Sequence, residues 1–254
     1  MSTSSGAVHT TVTDGIARLS FSHPAHNSMP SDLLADVVRN LDDLSSDQQV
    51  KVIVFQSGGE RTFCAGASFD ELLAISNLEE GKAFFSGFAS VINAMRRNRK
   101  LIIGRAQGKA VGGGVGLLAA CDYCLATQYA SVKLSELTIG IGPFVILPAV
   151  ERKIGLAKAS QLSIDACNWY DSQWAAEAGL FQGIYEDLDS LNEAVDTLAQ
   201  SLATYSSEAT TALKRALWQG TDHWDELLAQ RAEVSGQLVL GEAAREALER
   251  IKGK

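Results

Sequence analysis

Residues 8–13 are rich in Val and Thr, residues 16–21 alternate apolar with polar, and Asp14-Gly15 stands between them. Such runs read as strands, and Asp-Gly tolerates the positive φ angles of a tight hairpin turn. The period then changes. Leu33, Leu34, Val37, Val38 and Leu41 recur at helical spacing behind Ser31 and Asp32, either of which can cap a helix running to residue 44. Residues 50–56 form a short β-branched apolar run of the kind buried on both faces of a parallel sheet. The pattern next predicts a short helix from residue 70, a longer one over 79–98, and a buried strand over 101–105. Residues 117–121 continue as an all-apolar helix, which must be interior. Residues 123–127 and 131–134 read as further strands.

From residue 146 strand signals fade, and helices are predicted at 146–153, 156–164, 172–178, 191–203, 206–218, 222–239 and 241–251. Strands interleaved with helices, followed by a helical tail, predict a layered α/β core with a C-terminal helical portion. We place the core at residues 1–195 and the helical region at 196–254. There is no internal repeat and no Pro/Gly/Ser-rich linker, so the tail is expected to belong to the same unit or to an oligomer contact.

Composition narrows the function by exclusion. The formal net charge of −8 argues against a broad nucleic-acid face, which needs clustered Lys and Arg. The basic run Arg96-Arg97-Asn98-Arg99-Lys100 ends a predicted helix, where cations suit the macrodipole. Hydrophobic residues make up 46% of the 254, enough for a large core, and no apolar stretch of about 18 residues predicts a membrane span. The first seven residues lack the basic and apolar regions of a signal peptide, so a cytoplasmic protein is expected. Cys121 and Cys124 form a lone C-x-x-C among apolar neighbours, and the four histidines show no metal spacing, so no metal is expected.

Two segments carry the candidate chemistry. Phe63-Cys64-Ala65-Gly66-Ala67-Ser68-Phe69 and Val111-Gly112-Gly113-Gly114-Val115-Gly116 each follow a predicted strand and lead into a predicted helix. Small residues there let backbone N–H groups approach a ligand, and one N–H from each can grip a single oxygen. Gly114 to Ala119 also fits G-x-G-x-x-A, with Glu136 twenty residues after Gly116. That mimics a dinucleotide fingerprint. However, such a motif usually opens its domain, and here more than a hundred residues precede it. Glu136 lies among Leu134, Leu137, Ile139 and Ile141. Desolvation would raise its pKa toward that of a general acid/base. A helix-capping or ion-paired role is the alternative.

Phe63-Cys64-Ala65-Gly66-Ala67, the run His23-Pro24-Ala25-His26-Asn27-Ser28-Met29, Gln107-Gly108-Lys109-Ala110-Val111-Gly112-Gly113-Gly114, Ala120-Cys121-Asp122 and Ser135-Glu136 follow one another in an order that resembles the crotonase superfamily, the enoyl-CoA hydratase/isomerase family. The resemblance runs from about residue 8 to the C-terminus. It implies an α/β spiral core of ββα turns with a C-terminal helical region, and trimers commonly paired into hexamers. It also implies an acyl-CoA thioester substrate and no separate cofactor, coenzyme A being part of the substrate.

By matching positions, the N–H groups of Ala67 and Gly113 would hold the thioester oxygen and Glu136 would be the catalytic carboxylate. His26, Asn27, Ser28 and Ala65, with Ser68 and Phe69 beside them, would line the coenzyme A groove. Departures from the family pattern matter equally. Hydratases carry a second glutamate two residues after the third glycine, where this chain has Gly116, and dienoyl-CoA isomerases an aspartate where it has Phe144. The acidic residue usual after Ala-Gly-Ala is Ser68. The expectation is an enoyl-CoA isomerase working through one carboxylate, with hydratase as the close alternative and a non-catalytic CoA- or RNA-binding homologue as the remote one.

Overall fold

A computed structural model describes residues 6–252, so most of the segment read for a leader lies outside the described residues. β1 (Ala7–Thr13) and β2 (Ile16–Ser22) form an antiparallel hairpin, with Asp14 and Gly15 at φ 51° and 80° in its turn. α1 (Ser31–Ser46) follows, burying Leu33, Leu34, Val37, Leu41 and Leu44 on one face. From here the chain winds in turns of two strands and a helix. The first is β3 (Val52–Ser57), β4 (Thr62–Cys64), the short α2 (Phe69–Ala74) and α3 (Leu78–Arg97). The second is β5 (Leu101–Ala106), β6 (Lys109–Val111) and α4 (Gly113–Ala120). The third is β7 (Tyr123–Thr127), β8 (Ser131–Lys133), a 3-10 turn at Glu136–Ile139 and α5 (Leu147–Ile164). α5 breaks at Gly155, whose φ of 75° and ψ of 158° are not helical, so the two helices expected there meet at a kink.

Each turn gives its longer strand to a six-stranded sheet, ordered β1-β2-β3-β5-β7 and then a strand at Gly183–Tyr185, and its shorter one to a four-stranded sheet, ordered β4-β6-β8 and then a strand at Tyr170–Asp171. β9 (Tyr170–Asp171) and β10 (Gly183–Tyr185) flank α6 (Ser172–Glu177) and complete the two sheets. This is the α/β spiral of ββα turns that the resemblance implied. The central strands are buried on both faces, as their β-branched runs require: Val52, Ile53, Val54 and Phe55 have no exposed surface. The strands β4, β6, β9 and β10 are only two or three residues long and show no periodic pattern of their own.

The small sheet positions the site. β4 pairs parallel with β6, and β6 parallel with β8, through Cys64↔Ala110 and Val111↔Lys133. Three neighbouring strands therefore release the chain in one direction and side by side. Residues 65–67, 112–114 and 134–136 emerge in a row at their C-terminal ends, where open α/β sheets commonly bind ligands.

The C-terminal region comprises α7 (Leu188–Ala203), α8 (Ser207–Leu217), α9 (Trp224–Leu238) and α10 (Glu242–Lys252). The expected junction at residue 195 falls inside α7, whose Leu191, Val195 and Ala199 pack on Val52, Val54, Ile103 and Leu125 of the large sheet. α8 is tied to the core by a buried ion pair. Lys214 Nζ lies 2.6 Å from Asp122 Oδ2, Trp218 Nε1 donates to Asp122 Oδ1 at 2.7 Å, and the Ile102 N–H donates to Oδ2 at 2.7 Å. Burial pulls the Lys214 pKa down and Asp122 partly opposes this.

Removing the cation leaves a carboxylate buried without its charge partner. Lys214→Ala is expected to lower unfolding free energy by about 3–5 kcal/mol, measured by urea denaturation. An unchanged midpoint would show that the pair does not fasten the helices.

Candidate active site

Two glycine conformations and the close contacts around them bring the site together. Gly66 has φ 92° and Gly112 φ 51° with ψ −117°, the latter a conformation essentially confined to glycine. A Cβ built on Gly66 would stand 3.1 Å from the Val111 carbonyl oxygen and 3.9 Å from the Gly113 nitrogen, so the two small-residue segments lie against each other. A Cβ on Gly113 would fall 2.1 Å from Phe88 Cε1, and one on Gly114 would fall 2.7 Å from Cys64 Cβ. The successive glycines are thus imposed by α3 and β4 pressing on the start of α4.

The Met29 N–H donates to the Gly66 carbonyl at 2.8 Å, the Ala65 N–H to His26, and the Gly112 N–H to Lys133. Among the described residues, the N–H groups of Ala67 and Gly113 have no such acceptor. Both residues line one cavity of about 250 Å³. Gly113 also opens α4, whose first-turn N–H groups favour negative charge nearby. Two unpaired donors on adjoining segments are what a developing oxyanion needs.

Glu136 completes the site from the third strand. The residue keeps some exposure, but its carboxylate is buried: Oε2 is inaccessible and has no hydrogen-bond partner among the described residues. The carboxylate rests on Gly112, where a built Cβ would sit 2.8 Å from Oε1. Burial pushes the Glu136 carboxyl up to about 7, slightly opposed by a hydrogen bond from its own backbone N–H. Of the apolar neighbours in sequence, Ile139 and Ile141 line the same cavity as Glu136, whereas Leu137 is 51% exposed and does not contribute to this burial. Among the described residues, the alternative reading as an ion-paired or capping glutamate finds no side-chain ion-pair partner and no partner for Oε2.

The cavity wall is apolar, built from Phe69, Leu72, Phe85, Phe88, Ile139, Ile141, Val145 and Ile146, with Ser135, Glu136 and Ser235 the polar side chains on it. A second cavity of about 330 Å³ shares Ala65 and Val111 with the first and is lined by His26, Arg61, Thr62, Lys109 and Trp169. Lys109 Nζ stands 4.9 Å from the Trp169 ring centroid. This joined mouth is basic and aromatic, in contrast to the acidic chain around it. Arg61, Lys109 and Trp169 were not read from the sequence, where they are separated and carry no spacing signal. The one available hint was the position of Arg61 and Lys109 just before the two small-residue segments.

Among the sequence-derived groove residues, His26 and Ala65 line this mouth, while Ala65 and Phe69 line the main cavity. Asn27 and Ser28 line neither. Asn27, at φ 57°, donates from Nδ2 to the carbonyls of Gly58 and Thr62 and accepts from the His23 N–H. Ser28 Oγ lies 3.0 Å from His23 Nδ1. Both side chains hold the loop that carries His26. Ser68 Oγ caps α2 by accepting the Glu71 N–H.

Comparison with known proteins shows the family. Residues 11–248 match the family described as enoyl-CoA hydratase/isomerase. The chain belongs to that family. It is 28% identical to the peroxisomal Delta(3,5)-Delta(2,4)-dienoyl-CoA isomerase of Arabidopsis thaliana, over 80% of this chain and 77% of the relative. It is 26% identical to the short-chain-enoyl-CoA hydratase of Clostridium acetobutylicum, over 88% and 85%. With the mitochondrial methylglutaconyl-CoA hydratase of Rattus norvegicus the identity is 31%, over 77% and 63%. The crystal structure of an enoyl-CoA hydratase from Bacillus halodurans superposes with a TM-score of 0.89 at 20% identity, covering 96% of this chain and 99% of that one. The family membership makes the chain an enoyl-CoA hydratase/isomerase family enzyme, and the relatives include both reaction types.

Two positions are among those at which the resemblance led to the expectation of an acidic residue. At Gly116, where the hydratase pattern calls for a second glutamate, a built Cβ would meet Ile146 Cβ and Cγ2 at 2.5 Å. The space of a carboxylate is filled by an aliphatic side chain. Phe144, at the dienoyl-isomerase aspartate position, lies with its ring 2.6 Å from where a Gly142 Cβ would be.

Because the Glu136 pKa is raised from 4.5 to about 7 on folding, its contribution to stability is fully present below pH 4.5 and is lost as pH rises to about 7. Glu136→Gln, which cannot ionise, is expected to match the parent Tm at pH 4 and to exceed it from pH 7 upward. Parallel Tm–pH curves would mean the carboxylate is solvated.

Proposed function

We propose that this enzyme isomerises 3-enoyl-CoA thioesters to 2-enoyl-CoA through a single carboxylate, and the observation that carries the reading is Ile146 occupying the space beside Gly116. Hydration needs an attacking water held between two carboxylates. Here the cavity wall carries one carboxylate among mostly apolar side chains. A 1,3-proton shift needs only a base, a polarised carbonyl and a dry site.

The Ala67 and Gly113 N–H groups hold the thioester oxygen and make the α-proton acidic by drawing charge onto that oxygen. Each donor is worth about 2.7–4 kcal/mol in the transition state. The Glu136 carboxylate takes the proton from the α-carbon, and the electron pair delocalises through the β,γ double bond and the carbonyl. The resulting carboxylic acid returns the proton to the γ-carbon as the double bond settles between the α- and β-carbons. Base and acid are one group, so a pKa of about 7 serves both steps. The basic mouth formed by His26, Arg61 and Lys109, with the Trp169 ring beside them, suits the phosphates and base of coenzyme A.

The test offers purified enzyme a 3-enoyl-CoA and a 2-enoyl-CoA separately. A double-bond shift with little hydration is expected, whereas rapid hydration without the shift overturns the isomerase reading in favour of a hydratase. For isomerisation, kcat/KM should rise with pH through an inflection near 7 as Glu136 loses its proton. Glu136→Gln should lower kcat on the order of 10²–10⁴-fold while acyl-CoA binding survives. Restoring the missing carboxylate is not expected to restore hydration. Gly116→Glu collides with Ile146, so it should cost about 1–3 kcal/mol of stability and leave 2-enoyl-CoA unhydrated. Substantial hydration by this variant would show that the Ile146 side chain does not exclude the water.

A further inference from the structure

Besides Glu136, the cavity wall carries two polar side chains that the proposed reaction does not use, Ser135 beside the carboxylate and Ser235 on α9. Ser235 lies near the end of α9, is 1% exposed and lines the main cavity. Its hydroxyl makes no hydrogen bond among the described residues. This is unlike the helical Ser86, Ser90 and Ser201, whose Oγ atoms donate to the carbonyl four residues back at 2.7–2.9 Å. A hydroxyl offers one donor and two acceptor sites, and leaving all of them unmet in an apolar enclosure is unfavourable.

Its position along the cavity follows from α3. Gly236, the next residue, crosses α3 at Gly81, where a built Cβ would lie 2.8 Å from the Gly236 Cα. Seven residues further along the same helix, the Phe88 ring covers Gly113. At 1.5 Å per residue the Gly113 amide and the Ser235 level are about 10 Å apart along α3. An extended chain advances about 1.1–1.2 Å per bond. Allowing for the reach of the serine and its hydrogen bond, this corresponds to roughly six to eight carbons from the thioester carbonyl. Between the two levels on α3 the wall offers Phe85, which provides no hydrogen bond.

We infer that Ser235 recognises a hydroxyl or carbonyl group borne by the acyl chain about six to eight carbons from the thioester, making the enzyme selective for oxygenated over plain alkyl acyl-CoA. This rests on the acyl-CoA reading of the site. A plain chain leaves the buried hydroxyl unmet, whereas an oxygenated one pairs with it, and pockets built around such a bond reject ligands that lack it.

Isothermal titration with unreactive saturated ligands separates the two claims: octanoyl-CoA, and its 6-, 7- and 8-hydroxy counterparts. At least one hydroxylated ligand is expected to bind about tenfold more tightly than octanoyl-CoA. Ser235→Ala is expected to erase that difference. The inference is overturned if octanoyl-CoA binds at least as tightly as all three, or if the preference survives in the alanine variant. Octanoyl-CoA binding in the parent enzyme meanwhile upholds the acyl-CoA reading on its own. Failure of all four ligands overturns both.

Discussion

The Glu136 carboxylate can occupy its place only because Gly112 has no side chain, and most of the site depends on that contact. The same glycine adopts a backbone conformation closed to other residues, and its N–H donates to the Lys133 carbonyl at 2.9 Å. That bond sets the 3-10 turn carrying Glu136 beside the start of α4. One residue therefore desolvates the base, aims the Gly113 amide and fixes the distance between the two strands. A carboxylate in water would hold its proton near pH 4 and make a weak base. Pressed on a glycine and an apolar wall, it titrates near neutrality.

What the site performs is set by smaller differences than what the fold is. The relatives include hydratases and a dienoyl-CoA isomerase at similar identity, and a structure at 20% identity superposes almost whole. A shared spiral thus leaves the reaction open, as one scaffold hosts several chemistries. The proposed isomerase reading rests on the contacts of Ile146. Ile146 takes the volume beside Gly116, and Phe144 turns its ring toward Gly142. Both put hydrocarbon where the resemblance led to the expectation of a carboxylate, and in the proposed mechanism one base remains beside the two amides.

The C-terminal helices are part of this arrangement. α9 lies against α3 through the glycine pair Gly81 and Gly236, and α10 crosses the 3-10 turn where Gly140 meets Ala244. Leu72, Phe84, Ile141, Val239, Ala244 and Leu248 share a buried cluster, so the cover of the site has its own small core. The Lys214–Asp122–Trp218 network anchors the preceding helix to the residue just after α4. Stability of the tail and enclosure of the carboxylate are therefore linked through packing on the same two helices, α3 and α4.

The elements with strong periodicity were legible in the chain itself: the Asp14-Gly15 hairpin, the buried runs of β3 and β5, the amphipathic α1 and α3, and the helical tail. So were the two small-residue segments and Glu136, because glycine and an isolated carboxylate leave a local mark. The strands β4, β6, β9 and β10 were not, since two or three residues show no period and owe their state to neighbours. Asn27 and Ser28 sit in a motif that suggested ligand contact, yet their side chains were taken by carbonyls and a histidine brought close only on folding. Ile146 beside Gly116, Ser235 in the cavity and Arg61 near Trp169 join residues distant in sequence. Sequence alone determined which backbone could hold an oxyanion and which residue could act as base, because those properties belong to single residues. Only the tertiary structure decided where water is excluded and which polar groups lack partners, because burial and hydrogen bonding arise between segments that local sequence does not connect.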